Sequence, residues 1–253
     1  LDVDTPGLPF IALPTTAGTG AEITKNAVLT DPAKPVKKSL RSPFMVPHAA
    51  VVDPELTTSM PRNVTAESGL DALTQAVESY LSRRANRASA ALARDATAQC
   101  MTHLPAAWRD GQGREARTGM AEASMMSALA FSQTSLGAVH GLAHPVGACL
   151  ELPHGWTCAV LLPHILRLNQ VTVPERIDEL GRACGLADGT AFIGAIDDLC
   201  RNLGIPSGLR ETGLRPDHFD YIVKNCRSGS MTSNPRTLSD AEIRDLLSRL
   251  QAK

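Results

Sequence analysis

One segment places the strongest limit on the folds that this chain can adopt: residues 119–133, GMAEASMMSALAFSQ. Apart from Glu122, small and apolar side chains surround the whole circumference of a helix in this segment, a pattern typical of a buried helix. The many alanines and serines suit close packing against neighbouring helices. The segment therefore predicts a central, buried helix within a helical domain.

A second helix is predicted to begin near Thr65 and to be strongly amphipathic. Its apolar residues recur at intervals that place them on one helical face: Leu70, Leu73, Val77, Tyr80 and Leu81. The polar residues Asp71, Gln75 and Glu78 fall on another face of the same helix. Taken alone, such a polar face is usually solvated, because Asp and Glu are seldom buried.

Further helices are expected in the second half of the chain, where local signals mark their ends. GWTCAVLLPHILRLN has a helical composition, and PERIDELGRACG carries Pro174 in its first turn. TAFIGAIDDLCRNLG ends on Gly204, and LSDAEIRDLLSRLQ begins after Ser239, a preferred N-cap residue. Residues 61–253 are therefore predicted to form an all-α C-terminal domain.

The first 60 residues have a different pattern. PFIALP, NAVLT and AAVVDP are short β-favouring runs separated by Pro, Gly and Asp. Three or four strands without covering helices make a poor domain, and the chain opens at Leu1 without a methionine. The fold class expected is therefore an α/β N-terminal remnant, residues 1–60, followed by the helical domain, and we expect that an N-terminal part is missing.

Composition narrows the partners and the compartment. With 25 basic and 26 acidic residues, the formal charge is −1, which disfavours nucleic acid and membrane surfaces and favours a small-molecule partner. No apolar run reaches the roughly 18 residues of a membrane span, and no signal peptide heads the chain. The six cysteines form no C-x-x-C pair, which predicts reduced thiols and a cytoplasmic protein.

The segment GAVHGLAHPVGACLELPHG concentrates three of the seven histidines, His140, His144 and His154. The first two are four residues apart, so a helix would project both from one face. A continuous helix would separate His140 from His154 by about 21 Å, so a shared site requires a bend. Residues that can provide this bend are Pro145, Gly147 and Pro153. The histidines are then either hydrogen-bonded core residues or ligands of a metal, for which Asp71 can supply the negative charge.

Several motifs together carry a family resemblance: LPTTAGTGAEIT, VVDPELTTSMP, GLDALTQAVESYLS, VHGLAHPVGACLELPHGWTCAVLLPHILRLN and SNPR. In this order they resemble the iron-containing (group III) alcohol dehydrogenase family, which has a dehydroquinate synthase-like fold. The resemblance implies that residues 1–60 are the C-terminal portion of a Rossmann-like nucleotide-binding domain. It also implies that residues 61–253 are the metal-binding catalytic domain.

The resemblance also implies a metal site and a catalytic histidine. Its metal motif falls on Asp71, His140 and His154, and the family's remaining histidine ligand falls on Gln75. The amide oxygen of Gln75 is a poorer ligand than imidazole for Fe(II) or Zn(II), the two metals expected here. His144 matches the family residue near the nicotinamide and the substrate, which is thought to help the proton step.

The cofactor implied by the resemblance is NAD or NADP. The segment TTAGTG, with Thr15, Thr16 and Gly18, matches the family turn that contacts the diphosphate and nicotinamide side of the cofactor, and Lys37 matches a lysine near it. By itself TTAGTG is not a G-x-G-x-x-G motif and is equally typical of a turn that ends a strand. The Gly-rich diphosphate motif that the family carries upstream is not in this chain.

The function expected is an NAD(P)-dependent oxidoreductase that interconverts an alcohol and an aldehyde or ketone, with the metal as Lewis acid, in a homodimer. Three alternatives remain open. Two of them are implied by the same family resemblance: a metal-independent maleylacetate reductase and a dehydroquinate synthase-like lyase. The third is a helical interaction domain whose histidines are structural.

Overall fold

A computed structural model describes residues 3–31 and 36–253, with side chains described for residues 3–29 and 40–253. The strands within these ranges all lie before residue 51: β1 (Ile11–Ala12), β2 (Asn26–Asp31), β3 (Val36–Arg41) and β4 (Ala49–Ala50). The helices follow: α1 (Arg62–Leu81), α2 (Arg87–Arg109), α3 (Arg114–Thr134), α4 (Ala138–Leu150), α5 (His154–Gln170), α6 (Pro174–Ala183), α7 (Gly189–Asn202), α8 (Phe219–Asn225), α9 (Gly229–Ser233) and α10 (Asp240–Ala252). The expected α/β remnant and all-α domain are confirmed.

The strands form two small sheets. β1 pairs with β4 in parallel, Ile11 opposite Ala49, and β2 pairs with β3 antiparallel, Asn26 opposite Arg41. The three predicted strand runs each contain a strand, and β3 is an addition that the sequence pattern did not predict. More than half of the surface of each of Leu8, Ile11 and Leu13 is exposed, so the strand segment builds no core of its own.

Local end signals position the helices as predicted. Ser239 caps α10, because its hydroxyl accepts from the backbone N–H of Glu242, whose carboxylate accepts from Ser239 in return. Pro174 is the first residue of α6, and Gly204 follows α7 with a left-handed φ of 80°. None of the helices in the described ranges combines the length and hydropathy that crossing a membrane requires.

The centre of the helical domain is α1, not the Ala-rich α3. Every residue from Gly69 to Leu81 is buried, since α1 packs against α2, α3 and α5. The alternative of a solvated polar face on this helix does not hold, because Asp71, Gln75 and Glu78 are buried with the apolar residues. α3 is buried over most of its length but leaves Leu129 exposed on one side.

The bend between α4 and α5 lies after Pro145 and Gly147, two of the three residues predicted to provide it. α4 continues through Pro145 and Gly147. The chain turns at Glu151, which is left-handed with a φ of 55°, and Pro153 precedes the first residue of α5. The N–H groups of Glu151 and Leu152 both donate to the Gly147 carbonyl, which closes α4 and lets α5 run back past it.

Candidate metal centre

Three helices bring four ligand-type side chains together. Asp71 comes from α1, His140 from α4, and His154 and Cys158 from the first two turns of α5. One ligand atom from each residue lies within 4.8 Å of those of the other three. Asp71 Oδ1 is 3.3 Å from His140 Nε2 and 3.7 Å from His154 Nε2. The bend after α4 thus brings into one cluster two histidines that a straight helix would hold far apart.

Gly155 allows α5 to approach α1 closely enough to form this cluster. A Cβ atom on Gly155 would lie 2.2 Å from the Glu67 carbonyl oxygen and 3.4 Å from Asp71 Cβ. Any larger residue would therefore force the two helices apart. The glycine of PHG positions the neighbouring His154 beside Asp71.

Two buried atoms at the centre lack hydrogen-bond partners among the described residues. They are Asp71 Oδ1 and His140 Nε2, whose side chains are each 3% exposed. The two atoms are close but not aligned for a hydrogen bond with each other. Unsatisfied buried polar atoms are costly, and a carboxylate oxygen and an imidazole nitrogen are both metal ligands. The residues therefore fit a divalent metal between them.

Glu78 fixes the orientation of His140. Its Oε2 lies 2.7 Å from His140 Nδ1, and its Oε1 accepts from the backbone N–H of Val139 at 2.6 Å. The carboxylate thus holds both the imidazole and the N-terminal turn of α4. A histidine that gives its Nδ1 proton to a carboxylate presents the lone pair of Nε2 to a metal. Glu78 is a functional candidate that the sequence analysis left on a polar helix face.

Gln75 turns its amide nitrogen, not its oxygen, toward the cluster. Nε2 donates to Asp71 Oδ2 at 3.0 Å, and Oε1 accepts from Ser127 Oγ at 3.3 Å. Exchanging the two amide atoms would place the oxygen against the carboxylate, so the hydrogen bonds support this orientation. Gln75 therefore holds Asp71 in place and offers no oxygen as a ligand, which corrects the expectation of weak amide coordination.

The cluster also stabilises charge on its own members. Burial alone would raise the pKa of Asp71, but His140 and His154 outweigh it and lower that pKa. Burial likewise opposes ionisation of Cys158, yet the same imidazoles lower the pKa of its thiol. The Cys158 thiolate raises the pKa of His154, and together with Asp71 and Glu78 it raises that of His140 despite burial. Metal ligands bind in their deprotonated forms, so a metal and protons compete for the same atoms of this cluster.

His144 lies at the edge of this cluster. Its ring centroid is 5.2 Å from that of His154 and 6.5 Å from that of His140, and the side chain is half-buried. His144 is thus a neighbour of the centre without being one of its four ligand-type residues. This placement is compatible with its predicted role beside the reacting atoms.

The TTAGTG loop packs against the helix that carries Asp71. A Cβ atom on Gly18 would lie 2.7 Å from Ser68 Cβ, so the loop touches α1 one turn before Asp71. Thr15 and Thr16 are exposed. Lys37 lies in β3, but its side chain is outside the part of the chain whose side chains are described.

Comparisons with known proteins agree with the motifs and the geometry. A model of the Fe-containing alcohol dehydrogenase family, C-terminal, matches residues 65–251, and an iron-containing alcohol dehydrogenase model matches residues 2–54. The chain belongs to the iron-containing alcohol dehydrogenase family. For a member of this family, the convergence of Asp71, His140 and His154 marks the metal centre as the first place to test for function.

Individual iron-containing alcohol dehydrogenases resemble the chain over nearly all of its length. It is 38% identical over 244 residues to the probable alcohol dehydrogenase EutG of Salmonella typhimurium, covering 95% of this chain and 62% of the relative. It is 36% identical over 244 residues to the 1,3-propanediol dehydrogenase of Klebsiella pneumoniae, covering 93% and 63%. The sulfoacetaldehyde reductase of Bifidobacterium kashiwanohense, solved in complex with NAD+, superposes with a TM-score of 0.92 at 33% identity, covering 97% and 65%. The chain thus spans less than two thirds of the length of each.

The sequence motifs identified neither Cys158 nor Glu78 as a site residue. Cys158 follows His154 by four residues on α5, and Glu78 follows Asp71 by seven on α1. Both spacings place the pair on one helical face, so helical periodicity extended from each predicted ligand is the signal that identifies them. From the sequence, the lack of a C-x-x-C pair predicted only that the cysteines are reduced thiols.

Proposed function

We propose that this chain is the metal-binding catalytic part of an NAD(P)-dependent oxidoreductase that interconverts a small alcohol and its aldehyde or ketone. The observation that carries the proposal is a pair of buried atoms, Asp71 Oδ1 and His140 Nε2, which lie 3.3 Å apart without an aligned hydrogen bond, beside His154 Nε2. In a protein core such a pair is stabilised by a cation, and three ligands with an open position suit a catalytic metal.

Asp71, His140 and His154 would hold a divalent metal such as Fe(II) or Zn(II). When bound, the metal polarises the substrate oxygen as a Lewis acid, and the nicotinamide accepts or supplies the hydride. Asp71 contributes negative charge, and Glu78 keeps the Nδ1 proton of His140 directed away from the centre. The site is buried except on the side of His154, whose side chain is 34% exposed. A substrate can approach the site on that side.

His144 would exchange the proton of the substrate hydroxyl. Its ring lies next to that of His154, on the side where the cluster meets the surface. An imidazole can accept and return a proton near neutral pH, which suits it to this role. Thr15, Thr16 and Gly18 would contact the cofactor, since their loop packs one turn from Asp71 on α1, and Lys37 is proposed as a further cofactor residue.

The substrate proposed is a small alcohol or the corresponding carbonyl compound. The relatives named above include a 1,3-propanediol dehydrogenase and a sulfoacetaldehyde reductase, and the latter was solved with NAD+. We assign residues 1–60 to the nucleotide-binding part and residues 61–253 to the catalytic part. The use of NADP, a homodimer and a cytoplasmic location stay predictions. A metal-independent maleylacetate reductase would leave both unpartnered atoms without a purpose, so we do not favour it.

The test is the metal content and the turnover of the purified protein. We expect about one bound divalent ion per chain, oxidation of NADH or NADPH with small aldehydes, and loss of both after chelation. His154→Ala should remove the ion and lower turnover at least tenfold, while its melting temperature should stay close to that of the metal-free wild type. His48→Ala, at an exposed histidine, is the matched control and should change neither. Full turnover after verified metal removal would refute the proposal.

A further inference from the structure

We propose that Cys158 Sγ is the fourth protein ligand of this centre, so that the metal is held by Asp71, His140, His154 and Cys158. The inference rests on the metal site of the proposed function and adds a thiolate to it, so that the substrate oxygen would approach as a fifth ligand. By resemblance, the family has a histidine ligand where this chain has Gln75. Cys158 would take the place of that histidine as a ligand.

Three of the six distances between the ligand atoms are close to those of a tetrahedral site, and all six are within 4.8 Å. With metal–nitrogen and metal–oxygen bonds of about 2.0–2.1 Å and a metal–sulfur bond of about 2.3 Å, neighbouring ligand atoms lie roughly 3.3–3.6 Å apart. Cys158 Sγ is 3.7 Å from His154 Nε2. The carboxylate oxygen of Asp71 is 3.3 Å from His140 Nε2 and 3.7 Å from His154 Nε2. The four atoms therefore surround a volume the size of one ion.

Cys158 differs from two other buried cysteines, Cys200 and Cys226, in what its sulfur faces. The sulfurs of Cys200 and Cys226 face main-chain carbonyl oxygens, those of Ala159 and Val223. The sulfur of Cys158 instead faces the imidazole nitrogen of His154, one helical turn earlier on α5. Cys158 is fully buried, so its thiol meets the cluster and not solvent.

Gln75 leaves a coordination position that the thiolate can take. Its amide oxygen is engaged by Ser127 Oγ, and its amide nitrogen donates to Asp71 Oδ2. The cluster thus contains a carboxylate, two imidazoles and a thiol. Its two unpartnered buried atoms, Asp71 Oδ1 and His140 Nε2, indicate a ligand independently of the cysteine.

A thiolate changes the charge and the metal preference of the site. Asp71 and Cys158 together carry two negative charges, which balance a divalent ion, and the thiol releases its proton when the metal–sulfur bond forms. Thiolates are softer ligands than imidazole or carboxylate, and they favour zinc over ions that prefer oxygen ligands. We therefore expect this chain to bind Zn(II) or Co(II) more tightly than Fe(II), Mn(II) or Mg(II).

The experiment is a Co(II) titration of the metal-free protein, prepared with chelator and reductant, followed by absorption spectroscopy. One equivalent of Co(II) should produce a sulfur-to-cobalt charge-transfer band in the near ultraviolet. Cys158→Ser should abolish the band and weaken Co(II) binding about tenfold or more. Cys149→Ser, on α4 outside the cluster, is the matched control and should retain the band and the affinity.

The outcomes separate this inference from the proposed function. One bound Co(II) without the band, or a band that survives in Cys158→Ser, would overturn the thiolate ligand and leave the metal site intact. Failure of the wild-type protein to bind Co(II) would overturn both. If Cys158→Ser does not fold by circular dichroism, X-ray absorption of the zinc-loaded wild type decides. A sulfur neighbour at about 2.3 Å supports the inference, and nitrogen or oxygen neighbours alone at about 2.0–2.1 Å refute it.

Discussion

Glu78 Oε2 lies 2.7 Å from His140 Nδ1, while the other oxygen of the same carboxylate accepts from the N–H of Val139. The Glu78 carboxylate therefore holds both the His140 imidazole and the first turn of α4, the helix that carries His140. Because α1 supplies both Asp71 and Glu78, one helix holds a proposed ligand and the group that orients another. The surroundings of the proposed ligands therefore matter as much as the ligands themselves.

Glu78→Gln should weaken Zn(II) binding about ten- to a hundredfold, the usual effect of removing a carboxylate behind a metal-bound histidine. A Gln amide nitrogen facing Nδ1 donates a proton to it, which leaves the imidazole proton on Nε2 and blocks the lone pair that faces the centre. Calorimetric titration with Zn(II) measures the change. Glu122→Gln, at an exposed position on α3, is the control. Equal affinities in wild type and Glu78→Gln would contradict the orienting role.

Metal removal should lower stability by an amount set by binding. Zinc at about one hundred times its Kd should raise the free energy of unfolding by about 2.7 kcal/mol, because the metal binds the folded state. Asp71→Asn keeps the shape of the side chain but removes its charge, so zinc should then stabilise the variant little. Chemical denaturation with and without zinc gives both values, and equal zinc stabilisation of the two proteins would argue against Asp71 as a ligand.

Gly155→Ala should destabilise the protein by about 1–3 kcal/mol, because the new methyl group overlaps the Glu67 carbonyl oxygen and forces α5 away from α1. The same shift moves His154 from Asp71 and should weaken metal binding. Gly194→Ala in α7 is the matched control. A Cβ there meets nothing within 4 Å, and the alanine should stabilise the helix by about 0.5–1 kcal/mol. The prediction fails if both substitutions change stability in the same direction.

Cys158→Ser combined with Gln75→His should recover metal binding without a sulfur ligand. The histidine would restore a nitrogen donor on α1, one turn after Asp71. We expect Co(II) affinity at least tenfold above that of Cys158→Ser alone, with no charge-transfer band. Absorption titrations of the single and double variants supply the comparison, and no gain in affinity would show that position 75 cannot serve as a ligand in this chain.

His164 should make the protein less stable in mild acid. Burial lowers the pKa of its imidazole below the ordinary 6.5, although Nε2 lies 2.9 Å from the Ser207 carbonyl oxygen. The unfolded chain then binds the proton more readily, so this contribution to stability is complete above about pH 6.5 and is lost as the pH falls through the lower folded value. His164→Gln should therefore gain stability relative to wild type between about pH 7 and pH 5, measured by urea unfolding. A constant difference would contradict this assignment.

Much of the helical domain follows from local sequence. Ser239, Pro174 and Gly204 mark helix ends through capping and backbone preferences that depend only on near neighbours. The histidine motifs also identify which residues to examine. α1 shows the limit of such reasoning, because helical spacing leaves open whether its polar residues face solvent or the core, and packing buries them.

Helical periodicity, helix ends and family motifs are local patterns, so they can be identified in the sequence alone. The fold adds three contacts: Asp71 meets His154 more than eighty residues later, Gln75 turns its oxygen to Ser127, and Cys158 faces an imidazole. These contacts could not be predicted, because they depend on how closely α1, α4 and α5 pack and where the chain bends between helices. Helical spacing specifies a face, and packing specifies what that face meets.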